Sequence, residues 1–118
     1  ENSLLKKVTK IFKALSDSNR LRIVKMLEAR PLCVCEITDV LNLAPSTVSK
    51  HLTILRDAEL INDDKESRWV IYSLNNSNTA YINELLPILK NWLPDDEIIQ
   101  SDTNKLGTES RMKVYKLI

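Results

Sequence analysis

The stretch that decides the fold is PLCVCEITDVLNLAPSTVSKHLTILRDAEL, residues 31–60. In its first half Ile37, Val40 and Leu41 give a short helix its apolar face. Asn42 follows, a residue that accepts the left-handed backbone a sharp turn often needs. Pro45 then stands where a new helix can begin, because a first-turn proline forfeits no hydrogen bond. Through that second helix Val48, Leu52 and Leu55 recur at i, i+4 and i+7, a stripe that faces a core. Ser46, Ser49, Lys50 and Thr53 fall on the other face, short or cationic donors with no carboxylate among them. Two helices about a tight turn, the second rich in donors, predict a helix-turn-helix whose second helix lies in a DNA major groove.

Upstream, Leu4, Val8, Ile11, Phe12 and Leu15 keep the helical period, with Lys6, Lys7, Lys10 and Lys13 off that stripe. Ser16-Asp17-Ser18 supplies capping oxygens for a helix over residues 19–29, with Leu21, Val24 and Leu27 inward and Pro31 as its stop. Arg20 and Arg22 read either as solvated charges or as phosphate contacts or pairs at a dimer edge. Downstream, residues 61–65 and 68–74 pair as a β-hairpin, the second arm RWVIYSL rich in aromatic and β-branched side chains. Lys65, Glu66 and Ser67 make its tip. After a polar break at residues 75–79, Ile82, Leu85, Leu86, Leu89 and Trp92 resume the helical period, and Pro87 should kink or split that helix. Residues 94–110 read as acidic loop, and RMKVYKLI, residues 111–118, as a last strand or short helix.

The segments LSDSNRLRIVKML, LCVCE, APSTVSKHL, LRDAELI and RWVIYSL stand in an order that resembles the ArsR/SmtB family of bacterial metalloid- and metal-responsive repressors. The resemblance spans residues 4–93. It implies a mainly α fold with a small β-hairpin, a dimeric winged helix-turn-helix that leaves its operator when an inducer binds. On this reading residues 1–93 form the DNA-binding and dimerisation domain and residues 94–118 an extension without assigned role. The first and last helices of the domain would pair two copies on an imperfectly palindromic operator. Ser46, Thr47, Ser49, Lys50 and Thr53 would face the DNA, with Arg68 reaching a minor groove or a phosphate from the wing. Wings of this family usually carry a tip glycine, which this hairpin lacks.

Cys33 and Cys35 are the one constellation with reactive character. On a regular helix, residues i and i+2 point roughly 200° apart, whereas in an extended segment they point the same way. The spacing therefore chelates only where the chain is extended, which suggests that a ligand unwinds the helix start that DNA binding needs. A helix beginning here would also favour thiolate through its N-terminal dipole. The plain alternative is a pair of small buried hydrophobes. Thiolates select soft species, and the resemblance points to trivalent arsenic or antimony, As(III) or Sb(III), with no organic cofactor. Arsenite-sensing relatives often hold a third cysteine where this chain has Thr38. An oxidation or persulfide switch on Cys33 and Cys35 is the second reading. The histidine and carboxylate zinc site of other relatives is not supported, and His51 reads as a packing or phosphate-contacting residue.

Composition narrows the classes further. The 118 residues suit one domain. The net charge is only +1, but residues 1–35 hold eight basic side chains against three acidic ones. That asymmetry permits a cationic face on a nearly neutral molecule. A single glycine excludes glycine-rich phosphate loops. No apolar run approaches the ~18 residues of a membrane span, and the two closely spaced cysteines are no secreted disulfide framework. A cytoplasmic protein with reduced thiols is expected. A thiol–disulfide enzyme is disfavoured, since no βαβ pattern and no base accompany the cysteines. A winged helix that binds protein instead of DNA is disfavoured by the carboxylate-free reading face.

Overall fold

A computed structural model describes residues 3–107. Helices α1 (Leu4–Leu15) and α2 (Ser18–Ala29) lead into strand β1 (Leu32–Cys33), followed by α3 (Val34–Leu41) and α4 (Pro45–Asp57). Strands β2 (Ile61–Glu66) and β3 (Trp69–Leu74) come next, then α5 (Ile82–Lys90) and α6 (Glu97–Leu106). The antiparallel sheet has the order β1-β3-β2. This is a winged helix-turn-helix: α3 and α4 form the motif and β2–β3 the wing. The RMKVYKLI segment lies outside the described residues.

The core gathers the positions that the periodicity marks. Ile23, Val24, Ile37, Val48, Leu52 and Leu55 are fully buried, joined by Leu32, Leu60 and Ile61 from the sheet edge. Each such side chain stabilises the fold by about 2 kcal/mol through removal from water. Asn42 adopts φ 55° and ψ 44°, and its N–H donates to the Thr38 carbonyl at 2.8 Å, which closes α3 and sets the turn. Pro45 is the first residue of α4.

Several expectations are corrected by non-local contacts. Arg20 is not a solvated charge, for its Nε donates to the Ala14 carbonyl at 2.7 Å and its Nη2 to the Lys13 carbonyl at 3.3 Å. It thereby satisfies the open end of α1. Arg22 grips Asp102 with two bonds of 2.8 Å, and that hydrogen bonding raises its pKa above the usual value. Residues 97–106, expected as loop, are helical. Asp96 caps this helix through the N–H groups of Ile98 and Ile99, and α6 packs on α2 and α3. The helix of residues 82–90 runs through Pro87 without a break but stops at Lys90, which leaves Trp92 beyond its end. Buried Lys25 ties α2 to α5 by donating to the Leu89 carbonyl at 2.9 Å.

Among the described residues, α1 and the end of α5 carry exposed large apolar side chains. On α1, Leu5 is 77% and Phe12 63% exposed, although Ile11 and Ala14 are buried. At the end of α5, Ile88 is 51% and Trp92 54% exposed. Among the described residues no helix is long and apolar enough to cross a membrane.

Candidate nucleic-acid interface and thiol site

Burial of Val48, Leu52 and Leu55 fixes the rotation of α4 and so decides which residues look outward. Ser46, Thr47, Ser49, Lys50 and Thr53 are all exposed on that outer side, as their spacing requires. The first turn of α4 contains no acidic residue, so the positive end of its helix dipole is left for an anion, although Pro45 has no N–H to offer and Thr47 donates its own to the Ala44 carbonyl at 3.0 Å. The Thr53 hydroxyl donates to the Ser49 carbonyl at 3.0 Å, which leaves its lone pairs outward.

The wing is shorter at its tip than expected. Glu66 pairs with Trp69, so the loop is only Ser67 and Arg68, and Ser67 takes φ 56°, a left-handed backbone that glycine adopts at less cost. The Arg68 guanidinium rests 5.3 Å from the Trp69 ring centroid, a cation–π contact that holds it at the tip. The outer strand carries Asp63, Asp64 and Glu66 against Lys65, so this wing offers phosphate less attraction than α4 does. An exposed ion pair of 2.9 Å from Arg56 to Asp63 joins the end of α4 to β2.

Two positioning contacts had no clear signal in the sequence. Asn75, 5% exposed, donates to the Glu59 carbonyl at 2.8 Å and the Thr79 hydroxyl at 3.2 Å, and its oxygen receives the Ser77 N–H at 3.0 Å. It thus locks the exit of the wing to the turn after α4. Arg20 Nη1 lies 3.2 Å from His51 Nδ1, linking the end of α1 to the reading helix. His51 therefore packs against a cation, in keeping with a packing role. Burial pushes the Asp17 carboxyl up, but the Arg20 N–H, the charges of Arg20 and His51 and the Asn19 N–H outweigh it. The net effect holds Asp17 below its ordinary range.

The thiol site corrects the chelation argument. Cys33 ends β1 with φ −85° and ψ 164°, paired with Ile71, and serves as the N-cap of α3. Cys35 already belongs to the first turn of that helix. The two residues sit in different backbone classes, and the bend between strand and helix brings their sulfurs together. They are joined as a disulfide, with Cα atoms 5.4 Å apart, where reduced thiols were expected. Helix α3 need not unwind for the sulfurs to meet. Cys33 is buried and Cys35 half-buried. Thr38 lies one turn beyond Cys35, its hydroxyl donating to the Val34 carbonyl at 2.6 Å. Among the described residues no group of three or more histidine, cysteine or carboxylate side chains is placed to hold a metal ion.

Comparison with known proteins places these features in context. Residues 17–63 match the model of the family described as bacterial regulatory protein, arsR family. The arsenical resistance operon repressor of Bacillus subtilis (strain 168) is 37% identical over 87 residues, covering 73% of this chain and 80% of that protein. The structure of HlyU from Vibrio cholerae N16961 is similar with a TM-score of 0.63 at 30% identity, over 75% of this chain and 94% of that one. A homodimeric winged helix-turn-helix DNA-binding domain from Mycobacterium bovis shares the fold at TM-score 0.64 and 23% identity, over 74% of this chain and 78% of that one. The relatives and structural neighbours are transcriptional regulators and not enzymes.

Proposed function

Because this chain belongs to the ArsR family and is a DNA-binding transcriptional repressor, we propose that it holds its operator as a homodimer and releases it when a trivalent arsenical or antimonial bridges Cys33 and Cys35. The observation that carries this reading is the strand–helix junction, which sets two sulfurs side by side at the start of the helix-turn-helix. A monosubstituted arsenic(III) species has two exchangeable positions. The reacting form is the dithiol, reached from the disulfide by a two-electron thiol reductant that is itself oxidised to a disulfide. From it two arsenic–sulfur bonds replace two arsenic–oxygen bonds, the thiol protons leave with the hydroxides, and two waters depart. Arsenite keeps a third oxygen, and Thr38, whose hydroxyl is turned to Val34, is no thiolate to displace it.

Contacts with DNA are assigned to Ser46, Thr47, Ser49, Lys50 and Thr53 of α4 and, secondarily, to Arg68 of the wing. The exposed faces of α1 and α5 would pair two copies on an imperfect palindrome whose half-sites lie about 10 bp, or a multiple of that, apart. A homodimeric neighbour of the same fold supports that pairing. Residues 1–93 would be the repressor unit, and residues 94–118 the extension that brings α6.

A second reading is favoured by the disulfide itself. Oxidation of the two thiols by a hydroperoxide, which is reduced to an alcohol and water, would join the sulfurs without any bound metalloid. One titration separates the readings. The operator complex is exposed to phenylarsenous acid, arsenite and a hydroperoxide, with and without glutathione. Phenylarsenous acid should act at least as well as arsenite. Cys33→Ser and Cys35→Ser should each bind operator and resist release, and Thr38→Cys should sharpen the arsenite response. Release of either serine variant at wild-type arsenical concentration sinks the arsenical reading. Release by hydroperoxide alone leaves the oxidation reading.

A further inference from the structure

Behind the thiol pair stands a chain of contacts that runs to the last described helix. The backbone N–H of Cys33 donates to Glu36 Oε1 at 3.1 Å, within a capping box at the start of α3. Glu36 is 4% exposed, and its Oε2 meets Arg30 Nη2 at 2.8 Å. The same Arg30 nitrogen donates to the Leu106 carbonyl at 2.9 Å, the last residue of α6. From the other side α6 is held to α2 by the two bonds between Arg22 and Asp102, whose side chain is 3% exposed.

We propose that Glu36 is the positioning residue of the Cys33–Cys35 pair, and that Arg30 makes α6 a support of that pair. This rests on the thiol reading given above and deepens it. The two sulfurs meet because Cys33 is extended while Cys35 is helical. That change of backbone class occurs within two residues, and the Glu36 carboxylate fixes it by holding the Cys33 N–H. A buried carboxylate keeps its place only when its charge is compensated, and Arg30 supplies that compensation. Arg30 in turn is oriented by the carboxyl end of α6. The extension beyond the wing and α5 thus reaches the inducer site without touching the DNA-reading face. Pairing of two thiols depends on their effective concentration, so a support that narrows their motion raises affinity for any species that bridges them.

The test uses the full chain with Glu36→Ala, Glu36→Gln and Asp102→Asn. Two quantities are measured: affinity for phenylarsenous acid, and the dithiol–disulfide equilibrium of Cys33 and Cys35 against reduced and oxidised dithiothreitol. Operator affinity of the dithiol form serves as the control for an intact fold. Glu36→Ala should weaken both quantities about tenfold, the scale of one hydrogen bond to a charged acceptor. Glu36→Gln, whose amide oxygen can still accept the Cys33 N–H but whose nitrogen then faces the Arg30 guanidinium in place of an anionic oxygen, should fall between wild type and Glu36→Ala, and Asp102→Asn should lose about threefold. Operator affinity should not follow. Wild-type values of both quantities in Glu36→Ala and Asp102→Asn overturn the proposal. Should Glu36→Ala fail to fold, Asp102→Asn decides alone through the dithiol equilibrium. If wild type takes up no arsenical while that equilibrium still shifts as stated, the positioning role stands and the arsenical reading falls.

Discussion

Asn75→Ala is the perturbation that most directly tests how the wing is aimed. It deletes a carboxamide that donates to the Glu59 carbonyl and the Thr79 hydroxyl and receives the Ser77 N–H, at 2.8, 3.2 and 3.0 Å. Ser77 is exposed and Thr79 half-buried, so water replaces their lost partner in part. Glu59 is exposed too, so the cost is that of the lost hydrogen bonds and of the space left behind. At about 0.5–1.5 kcal/mol net for each bond, the total comes to roughly 2 kcal/mol after solvent access. For a domain of this length that lowers Tm by roughly 6–12 °C. Asn75→Asp sharpens the test. It keeps an acceptor for Ser77 but turns a carboxylate oxygen toward the Glu59 carbonyl. In neutral buffer it should lose more than alanine, and it should recover in part where the acid is protonated and can donate. Urea unfolding in neutral and mildly acidic buffer, with operator affinity measured alongside, gives the answer. Operator affinity should fall in Asn75→Ala, because the wing is no longer locked to the turn after α4. A loss below about 0.5 kcal/mol in Asn75→Ala would refute the reasoning, as would equal behaviour of Asn75→Asp in both buffers.

Three other outcomes follow from the described contacts. Lys50→Ala should weaken binding to all DNA sequences alike and reduce the salt slope of log affinity by about one, as for a residue on phosphate; a change confined to one base position would place it on a base edge instead. Phe12→Asp should leave a folded monomer with little operator affinity, seen by sedimentation, since Phe12 is 63% exposed on α1; an unchanged dimer would move the interface elsewhere. Asp17, as the N-cap of α2, accepts from the N–H groups of Asn19 and Arg20, and its folded pKa lies below the unfolded 3.8. Its ionised form therefore contributes stability above that unfolded value, and the contribution disappears as pH falls through the lower folded one. Asp17→Ala should cost about 1 kcal/mol at neutral pH, with the gap to wild type closing in strong acid; a gap that persists there excludes the ionised carboxylate as its source.

Local signals made the DNA-binding unit legible. The i, i+4, i+7 stripe of Val48, Leu52 and Leu55 sets the rotation of α4, and Asn42 and Pro45 set the turn before it. The wing strands were visible in their β-branched and aromatic content. What escaped was non-local. Strand β1 has two residues, too few for any periodicity, and exists because Leu32 and Cys33 pair with Tyr72 and Ile71. Missing that strand meant treating both cysteines as one backbone class. Helix α6 hid behind a polar composition, with Ile99 and Leu106 as its inward apolar residues and its ion pair supplied from 80 positions away by Arg22. Arg20 bonds to the Ala14 and Lys13 carbonyls, and Asn75 to the Glu59 carbonyl, the Thr79 hydroxyl and the Ser77 N–H, pairings that no residue pattern announces.

The strand–helix junction also sets a thermodynamic condition on induction. An effector displaces an equilibrium only by the difference in its affinity for the two states. Cys33 and Cys35 stand together while α3 is wound and α4 is in place. On the proposed reading, bridging the sulfurs would therefore carry no built-in preference for the DNA-free form, however tightly an arsenical were held. Turning occupancy from roughly 99:1 to 1:99 takes a preference of about ten-thousandfold. That preference has to arise from something other than the sulfur–sulfur separation: the bulk a ligand adds at the start of α3, or the angle between two subunits. Tight capture and effective derepression are then separate traits of this repressor, and a metalloid can possess the first without the second.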